Sequence, residues 1–188
     1  MLGAIVLGVA IGWAAGGRLA GVTGAGIRWS PLALTALLAQ VLISAAGRSP
    51  VTVVALIATF AVLACFALRN RHQPGFPLVL AGLLMNLAVI AANGAMPVSG
   101  RALELAGIPE ARAGLLAAPT AKHRMTRPGD RLVPLADVVP VPVPPGEVVS
   151  AGDVVVDAGI VWFLAGAMRR RPRRTPDETV TAARERQR

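Results

Sequence analysis

The chain has 188 residues, of which 54% are hydrophobic and 15% charged, and its mean hydropathy is +0.61. Soluble domains carry roughly 25% charged residues, so this composition favours a membrane protein over a soluble one. The formal net charge is +9, but tyrosine is absent and there are four phenylalanines, so aromatic platforms for stacking bases are missing. No nucleic-acid partner is predicted, and the lipid bilayer is the expected partner.

Apolar blocks divide the chain into five segments of helical length. About 20 apolar residues cross the hydrocarbon core of a bilayer, and a shorter block needs its flanking residues to do so. We therefore predict an all-α membrane protein with five transmembrane helices. The segments cover residues 2–15, 29–46, 51–68, 76–92 and 151–168.

Gly8, Gly12 and Gly16 lie four residues apart, on one face of the first segment. Small residues at this spacing let another helix approach closely. The stripe predicts helix packing and is also a candidate surface for a homo-oligomer. A phosphate-binding loop is the competing interpretation, but no Lys-Ser/Thr follows and no strand pattern precedes.

Asn86 lies inside the fourth segment, and Asn93 closes it two helical turns later on the same face. An amide in a bilayer interior needs a polar partner. Asn86 is therefore either a helix–helix hydrogen bond or a ligand contact, two interpretations that we weigh evenly. Asn93-Gly94, with Pro97 beyond it, is a natural helix stop, and we favour that structural role for Asn93.

Residues 94–150 form a long connection, and loops beyond about 15 residues are usually functional or disordered. An amphipathic stretch at 103–118, broken by Pro109, is predicted to lie on the membrane surface. The proline run at 139–145 favours an extended, polyproline-like path. The predicted organisation is a four-helix membrane region (1–93), a partly structured extracytoplasmic loop (94–150), a fifth transmembrane helix (151–168) and a basic cytoplasmic tail (169–188).

The fifth segment begins with acidic residues. Ser150 and Asp153 fit the S-x-x-D capping box, which accounts for Asp153 by helix capping alone. Asp157 follows one turn deeper on the same face. An ionisable residue inside a span is costly and is by default a functional hypothesis. The competing interpretation is a later start of the span, which would leave both acids at the level of the headgroups.

Basic residues in the short connections predict the orientation. The gaps after the first, second and third segments hold two, one and two of them, and eight follow Met168. Five spans then place the N-terminus outside and the tail in the cytoplasm. The predicted location is the bacterial inner membrane.

On this topology Asp137 and Asp153 both approach the outer face of the membrane. Two carboxyl groups held close together split their pKa values into one acid and one base, and such a pair can activate water for hydrolysis. His123 could add a further acid, base or ligand. The spacing of these three residues matches no metal motif, so neither a metal nor a cofactor is predicted.

Four short motifs resemble those of a bacterial family of small membrane proteins that is a domain of unknown function. They are ANGAMPVS at 92–99, KH at 122–123, LADVVP at 135–140 and VSAGDV at 149–154. The resemblance extends to about Met168 and implies a membrane location and shared motif residues, without an activity. The candidate binding residues are Asn86, Asn93, Ser99, His123, Ser150 and Asp157.

The same region resembles lipoprotein signal peptidases. In those enzymes an Asn-bearing span precedes a Val-Val-Asp type segment, and the final span opens with Asn-x-Ala-Asp. Here Asp137 stands beside Val138-Val139, and Asp153 opens the last span, so the resemblance implies catalysis by Asp137 and Asp153. The departures are a missing Asp-Arg pair, a far longer loop before Asp137, and Ser150 in place of Asn.

Three hypotheses follow. The leading one is a protein that binds a partner, lipid or ligand through its outer loop and the polar entrance of the fifth helix. The first alternative is an intramembrane aspartic hydrolase. The second is a subunit of an oligomeric transporter that uses Asn86 and Asp157.

Overall fold

The computed structural model describes residues 2–170, so most of the predicted basic tail lies outside the described residues. All five apolar segments are helices, and their ends agree with the predicted ends within one or two residues. Three shorter helices connect or precede them. The helices are α1 (Leu2–Ala14), α2 (Ala20–Thr23), α3 (Ser30–Ala45), α4 (Pro50–Arg69), α5 (Phe76–Asn93), α6 (Gly100–Leu105), α7 (Glu110–Ala117) and α8 (Ala151–Met168).

Capping boxes fix the starts of α4 and α8. The Ser49 hydroxyl accepts the Thr52 N–H (3.1 Å), while the Thr52 hydroxyl accepts the Ser49 N–H (2.8 Å). The Ser150 hydroxyl likewise accepts the Asp153 N–H (2.9 Å), and the Asp153 carboxylate faces the Ser150 N–H at 3.4 Å. The predicted capping box of α8 is thus confirmed, and both helices begin at defined residues.

Helices α5 and α8 pack antiparallel at very short range. Gly75, just before α5, and Gly82 within it lie seven residues apart, as do Gly152 and Gly159 of α8, and the two pairs face each other. A Cβ at Gly159 would lie 2.6 Å from the Gly75 carbonyl oxygen and 2.8 Å from the Val79 nitrogen. The missing side chains therefore allow the two backbones to touch, as small residues do between membrane helices.

The glycine stripe of α1 packs against α8 of the same chain, with the two helices parallel. A Cβ at Gly8 would meet Leu164 at 3.0 Å, and one at Gly12 would press on Met168. Gly16 lies beyond the helix in a left-handed conformation (φ +75°), and a Cβ there would have no neighbour within 4 Å. The stripe is thus a packing surface, as its spacing predicts. Self-association between copies stays a prediction.

Apolar side chains are exposed along whole helix faces. On α3, Leu34, Leu38, Val41 and Leu42 are 57–73% exposed. A soluble monomer rarely exposes a continuous apolar surface of this kind. Within residues 2–170, three helices are both long and apolar enough to cross a membrane, namely α4, α5 and α8. The shorter apolar helices α1 and α3 fall below that length, so five spans are not confirmed.

The long connection folds into a sheet, which corrects the prediction of an all-α protein. Four strands in the described part of the chain form it in the order β2-β1-β3-β4. Strand β1 runs parallel to β2 and β3, and β3 pairs antiparallel with β4 as a hairpin. The strands are β1 (Met96–Val98), β2 (His123–Met125), β3 (Asp137–Val141) and β4 (Glu147–Ser150).

The proline run does not follow an isolated polyproline path. Residues up to Val141 belong to β3, and the following prolines form the hairpin turn before β4. Pro140 is tolerated because β3 pairs with β1 only at its first residue, where Asp137 lies opposite Val98. On that side the later residues of β3 form a sheet edge, where a proline is allowed. The amphipathic stretch is helical and breaks before Pro109, as predicted, into α6 and α7.

Candidate functional site

Five of the predicted site residues meet where the sheet joins the bundle. Asn86 comes from α5, His123 from β2, Asp137 from β3, and Ser150 and Asp153 from the start of α8. The register explains the meeting, because Asp137 pairs with Ser150 across the β3–β4 hairpin. We call these five residues the junction cluster.

Asn86 fastens α5 to the start of α8. Its Nδ2 donates to Asp153 Oδ1 at 2.7 Å, and its Oδ1 accepts the Ser150 hydroxyl at 2.8 Å. Asn86 is 2% exposed and Ser150 is fully buried. Gly152 makes room for this contact, since any Cβ there would overlap the Asn86 amide oxygen. Helix capping alone therefore does not account for Asp153, which also receives a hydrogen bond from Asn86.

Asp137 is enclosed next to His123. Its carboxylate Oδ2 lies 3.4 Å from His123 Nε2, and its side chain is 5% exposed. Its backbone oxygen accepts the Ser99 N–H at 3.0 Å, which ties the start of β3 to the end of β1. The acid is thus placed by the sheet, with its side chain turned into the cluster.

Burial raises the pKa of Asp137 to about 7, and the negative charge of Asp153 adds to this rise. The charge of Lys122 opposes the rise, and that of Glu147 supports it. Burial also lowers the pKa of His123, with the charge of Lys122 acting in the same direction and that of Asp153 against it. The His123 side chain is 34% exposed, so water screens part of this effect.

The cluster can therefore hold a proton near neutral pH. Asp137 keeps its proton to higher pH than an exposed carboxyl group, and the imidazole of His123 is mainly neutral there. A carboxyl group with a pKa close to neutrality beside a second carboxyl group is suited to acid–base chemistry. Burial disfavours the charged forms of both Asp137 and His123, so the stability of the junction cluster depends on pH.

Asn93 and Ser99 lie outside the junction cluster, and each makes hydrogen bonds to nearby backbone groups. Asn93 donates to the carbonyl oxygens of Val89 and Arg131, both at 2.9 Å, and accepts the Arg131 N–H at 2.8 Å. The Ser99 hydroxyl accepts the Ala102 N–H at 3.3 Å and so caps α6. Both contacts fix the path of the chain as it leaves α5.

Asp157 lies one turn below Asp153, on the wall of a groove. The groove runs between α1 and α8, reaches the β3–β4 hairpin at one end, and has a volume of about 680 Å³. Its walls are mainly apolar and include Leu7, Val149, Val161 and Trp162; Asp157 also lines it, and Glu147 lies at the hairpin end. We call it the α1–α8 groove.

Sequence reasoning missed two features of this region. Glu147 was not singled out, because only the hairpin register brings it to the α1–α8 groove. The buried ion pair of Arg124 and Asp130 was also missed: the Arg124 guanidinium donates to both Asp130 oxygens at 2.9 and 2.5 Å, and both side chains are 6% exposed. Its hydrogen bonds lower the pKa of Asp130. The sequence carried no signal for this pair, because a spacing of six residues is not typical of ion pairs within one helix.

Candidate metal ligands are not clustered in the described part of the chain. Across residues 2–170, no three His, Cys, Asp or Glu side chains are grouped so that they could hold a metal ion.

A helical protein with three candidate membrane-spanning helices and a small sheet at one end is the class that these features define. The chain belongs to a family of unknown function (DUF5317), whose model matches residues 25–165. The resemblance to a family without an assigned function is thereby confirmed. No curated protein and no solved structure gave a match, so the comparisons do not confirm the likeness to lipoprotein signal peptidases.

Proposed function

We propose that the protein is an integral membrane protein that binds an amphiphile in the α1–α8 groove. The exposed apolar faces of α3 and α4 support the membrane placement, because these faces would contact lipid in a bilayer, whereas their exposure to water is unfavourable. At 20 residues, α4 is about 30 Å long, which equals the thickness of a bilayer core. In this proposal α1 and α3 also lie within the bilayer, as parts of a five-helix bundle.

The charge distribution supports one orientation. The sheet end of the bundle holds both acidic and basic residues, whereas the opposite end holds basic residues without acids in the described part of the chain. Basic residues are enriched on the cytoplasmic side of membrane proteins. The sheet and the N-terminus then face outward, and the opposite end faces the cytoplasm of the cell.

The observation that carries the binding proposal is the composition of the α1–α8 groove. An apolar trough of about 680 Å³ is large enough for an acyl chain, and its walls come from Leu7, Val161 and Trp162 among others. Asp157 stands on the wall and Glu147 at the hairpin end. Apolar walls with acidic groups fit a ligand that has an alkyl tail and a cationic amine.

Dodecylamine and dodecanol test this proposal, because they share a chain and differ in charge. The full chain in a nonionic detergent, with Trp13→Phe and Trp29→Phe, leaves Trp162 as the reporter in the groove. We expect a saturable change in Trp162 emission with dodecylamine, at concentrations about tenfold below those for dodecanol. Asp157→Asn should abolish that difference, whereas Glu110→Gln on the exposed surface of α7 should preserve it.

Equal responses to the two probes, or an unchanged preference in Asp157→Asn, would refute the cationic part of the proposal. No saturation with either probe would refute binding in the groove. A change of Trp162 emission that depends on protein concentration, without any added probe, would indicate that a second copy occupies the groove, and this too would refute the proposal.

Acid–base hydrolysis at the junction cluster is a second candidate. The convergence of Asp137, Asp153 and Asn86 favours it, because one carboxyl group can protonate a leaving group while another activates water. We expect a membrane-anchored peptide to be cleaved by the wild type and by Glu110→Gln, but not by Asp137→Asn or Asp153→Asn. Cleavage that survives in both aspartate variants would rule out this mechanism. Transport by an oligomer stays a prediction.

A further inference from the structure

The end of the bundle opposite the sheet is strongly basic. It carries six arginines in the described residues and no acidic residue there. Two hydrogen bonds connect the chain segments at this end. The backbone N–H of Arg18 donates to the Met168 carbonyl oxygen at 2.8 Å, and the Arg170 guanidinium donates to the Gln73 side-chain oxygen at 2.8 Å. The six are Arg18, Arg28, Arg69, Arg71, Arg169 and Arg170.

A pocket of about 370 Å³ lies at this end, beside the last turn of α4. Its lining consists of two arginines and a histidine (Arg69, Arg71 and His72) and of three apolar or aromatic residues (Trp29, Cys65 and Leu68). Leu68 and Trp29 are about half exposed, so the apolar wall of the pocket is open to its surroundings.

Asn70 holds the wall of this pocket in place. It is 4% exposed, its Oδ1 accepts the Arg28 N–H at 2.9 Å, and its Nδ2 donates to the Arg28 carbonyl oxygen at 2.8 Å. This double hydrogen bond fixes the chain just before Trp29, which adopts a left-handed conformation (φ 63°) that is rare for a bulky residue. The Arg69 guanidinium carbon then lies 6.0 Å from the centre of the Trp29 ring.

We infer that this pocket binds the headgroup of an anionic phospholipid from the surrounding bilayer. Arg69 and Arg71 match the negative phosphate, because guanidinium groups bind phosphate oxygens with two parallel hydrogen bonds. The apolar wall of Leu68 and Trp29 receives the first part of the acyl chains. Basic pockets at the cytoplasmic ends of membrane helices bind such headgroups. The inference rests on the membrane placement proposed above, but not on the α1–α8 groove.

The test uses the full chain with Trp13→Phe and Trp162→Phe, so that Trp29 reports on the pocket. The protein in a nonionic detergent is titrated with phosphatidylglycerol whose acyl chains carry bromine, which quenches nearby tryptophan. Phosphatidylcholine with the same brominated chains is the matched lipid. We expect saturable quenching by phosphatidylglycerol at concentrations at least about tenfold lower than for phosphatidylcholine.

Charge removal locates the site. Arg69→Gln with Arg71→Gln should weaken phosphatidylglycerol quenching about tenfold or more, since each basic residue near the surface attracts anionic lipid. Arg101→Gln with Arg127→Gln removes two exposed arginines at the sheet end and should leave the quenching unchanged. Arg71→Gln alone, with a weaker loss, serves if the double variant unfolds at a lower temperature than the parent.

Three results would overturn the inference. They are equal quenching by both lipids, an equal loss in the two pairs of arginine variants, and displacement of phosphatidylglycerol by millimolar inorganic phosphate, which would assign the pocket to free phosphate. If both lipids fail to quench while dodecylamine still binds near Trp162, this inference fails and the proposed function stands. Loss of the dodecylamine response with intact lipid quenching would refute binding in the α1–α8 groove and leave this inference standing.

Discussion

Replacing Asp137 with asparagine should stabilise the protein most above neutral pH, and progressively less as the pH falls towards about 4. The carboxyl group has a pKa of about 7 in the folded protein, against an ordinary value of 3.8 when exposed. A raised carboxyl pKa means that the folded state retains its proton while the unfolded state loses it. Stability therefore falls as pH rises from about 4 to about 7, and the amide of the Asp137→Asn variant cannot undergo this loss.

The structure sets the magnitude. The interval from 3.8 to about 7 corresponds to about 4 kcal/mol, at about 1.4 kcal/mol per pH unit, and this is an upper bound because the cluster can relax when charged. An asparagine side chain fits the site, since its amide can donate to neutral His123, whose Nε2 lies 3.4 Å from Asp137. It would also remove the repulsion from Asp153 and Glu147.

Thermal unfolding in detergent at pH 5 and pH 8 measures the effect, with circular dichroism as the readout. We expect the unfolding temperature of Asp137→Asn to exceed that of the wild type by more at pH 8 than at pH 5. This difference isolates Asp137, because His123, whose lowered pKa makes the fold less stable in acid, is present in both proteins. Glu110→Gln is the control, because its carboxyl group is exposed on α7. A difference between variant and wild type that is the same at both pH values would refute the buried, protonated carboxyl group.

Three further outcomes are expected. Gly152→Ala should prevent normal folding or lower the unfolding temperature sharply, since its Cβ would overlap the Asn86 amide, whereas Gly114→Ala on α7 has open space and should be tolerated; expression and thermal unfolding of the two compare them. Arg124→Gln should cost about 3–5 kcal/mol, because the buried Asp130 carboxylate loses its guanidinium partner and keeps only the Arg127 N–H as a donor; a loss below about 1 kcal/mol would contradict this. Asn86→Leu should cost about 1–3 kcal/mol, because the Ser150 hydroxyl loses its acceptor and Asp153 Oδ1 loses its donor while the capping box remains; a variant as stable as the wild type would contradict this.

Helices were predictable because local patterns determine them. Each apolar block became a helix, and prolines and serines marked the starts, as Pro50 after Ser49 and Ala151 after Ser150 show. The close packing of α1 was also predictable in kind, since Gly8 and Gly12 give one face without side chains. The sequence alone does not identify the helix that packs against this face, because any helix surface of suitable shape could pack there.

The sheet was missed because its strands are short and separated. Strands of three to five residues carry too little alternation to stand out, and β1 contains Pro97 while β3 contains Pro140. Parallel pairing of β1 with β2 and β3 depends on contacts between distant residues. The meeting of Asp137 with Asp153 was expected from topology alone, yet it is the hairpin register with Ser150 that brings the two acids together.

Burial of the cluster was equally beyond sequence reasoning. His123 was a candidate acid, base or ligand, and it is β2 that places it against Asp137. Asn86 was open to two interpretations, and its hydrogen bonds to Asp153 and Ser150 assign it a structural contact at the junction. Long-range contacts of this kind depend on the whole fold, and single-sequence patterns do not encode them locally.

Photocrosslinking tests the proposed amphiphile groove most directly. The probe is an alkylamine that carries a diazirine in its chain, applied to the full-length protein in detergent and mapped by mass spectrometry. The proposal predicts labelled peptides from α1 and α8, within residues 3–11 and 154–165, competed by dodecylamine and reduced in Asp157→Asn. Labelling spread over the exposed face of α3, unaffected by dodecylamine and by Asp157→Asn, would contradict a defined groove and leave only nonspecific contact with detergent-exposed surface.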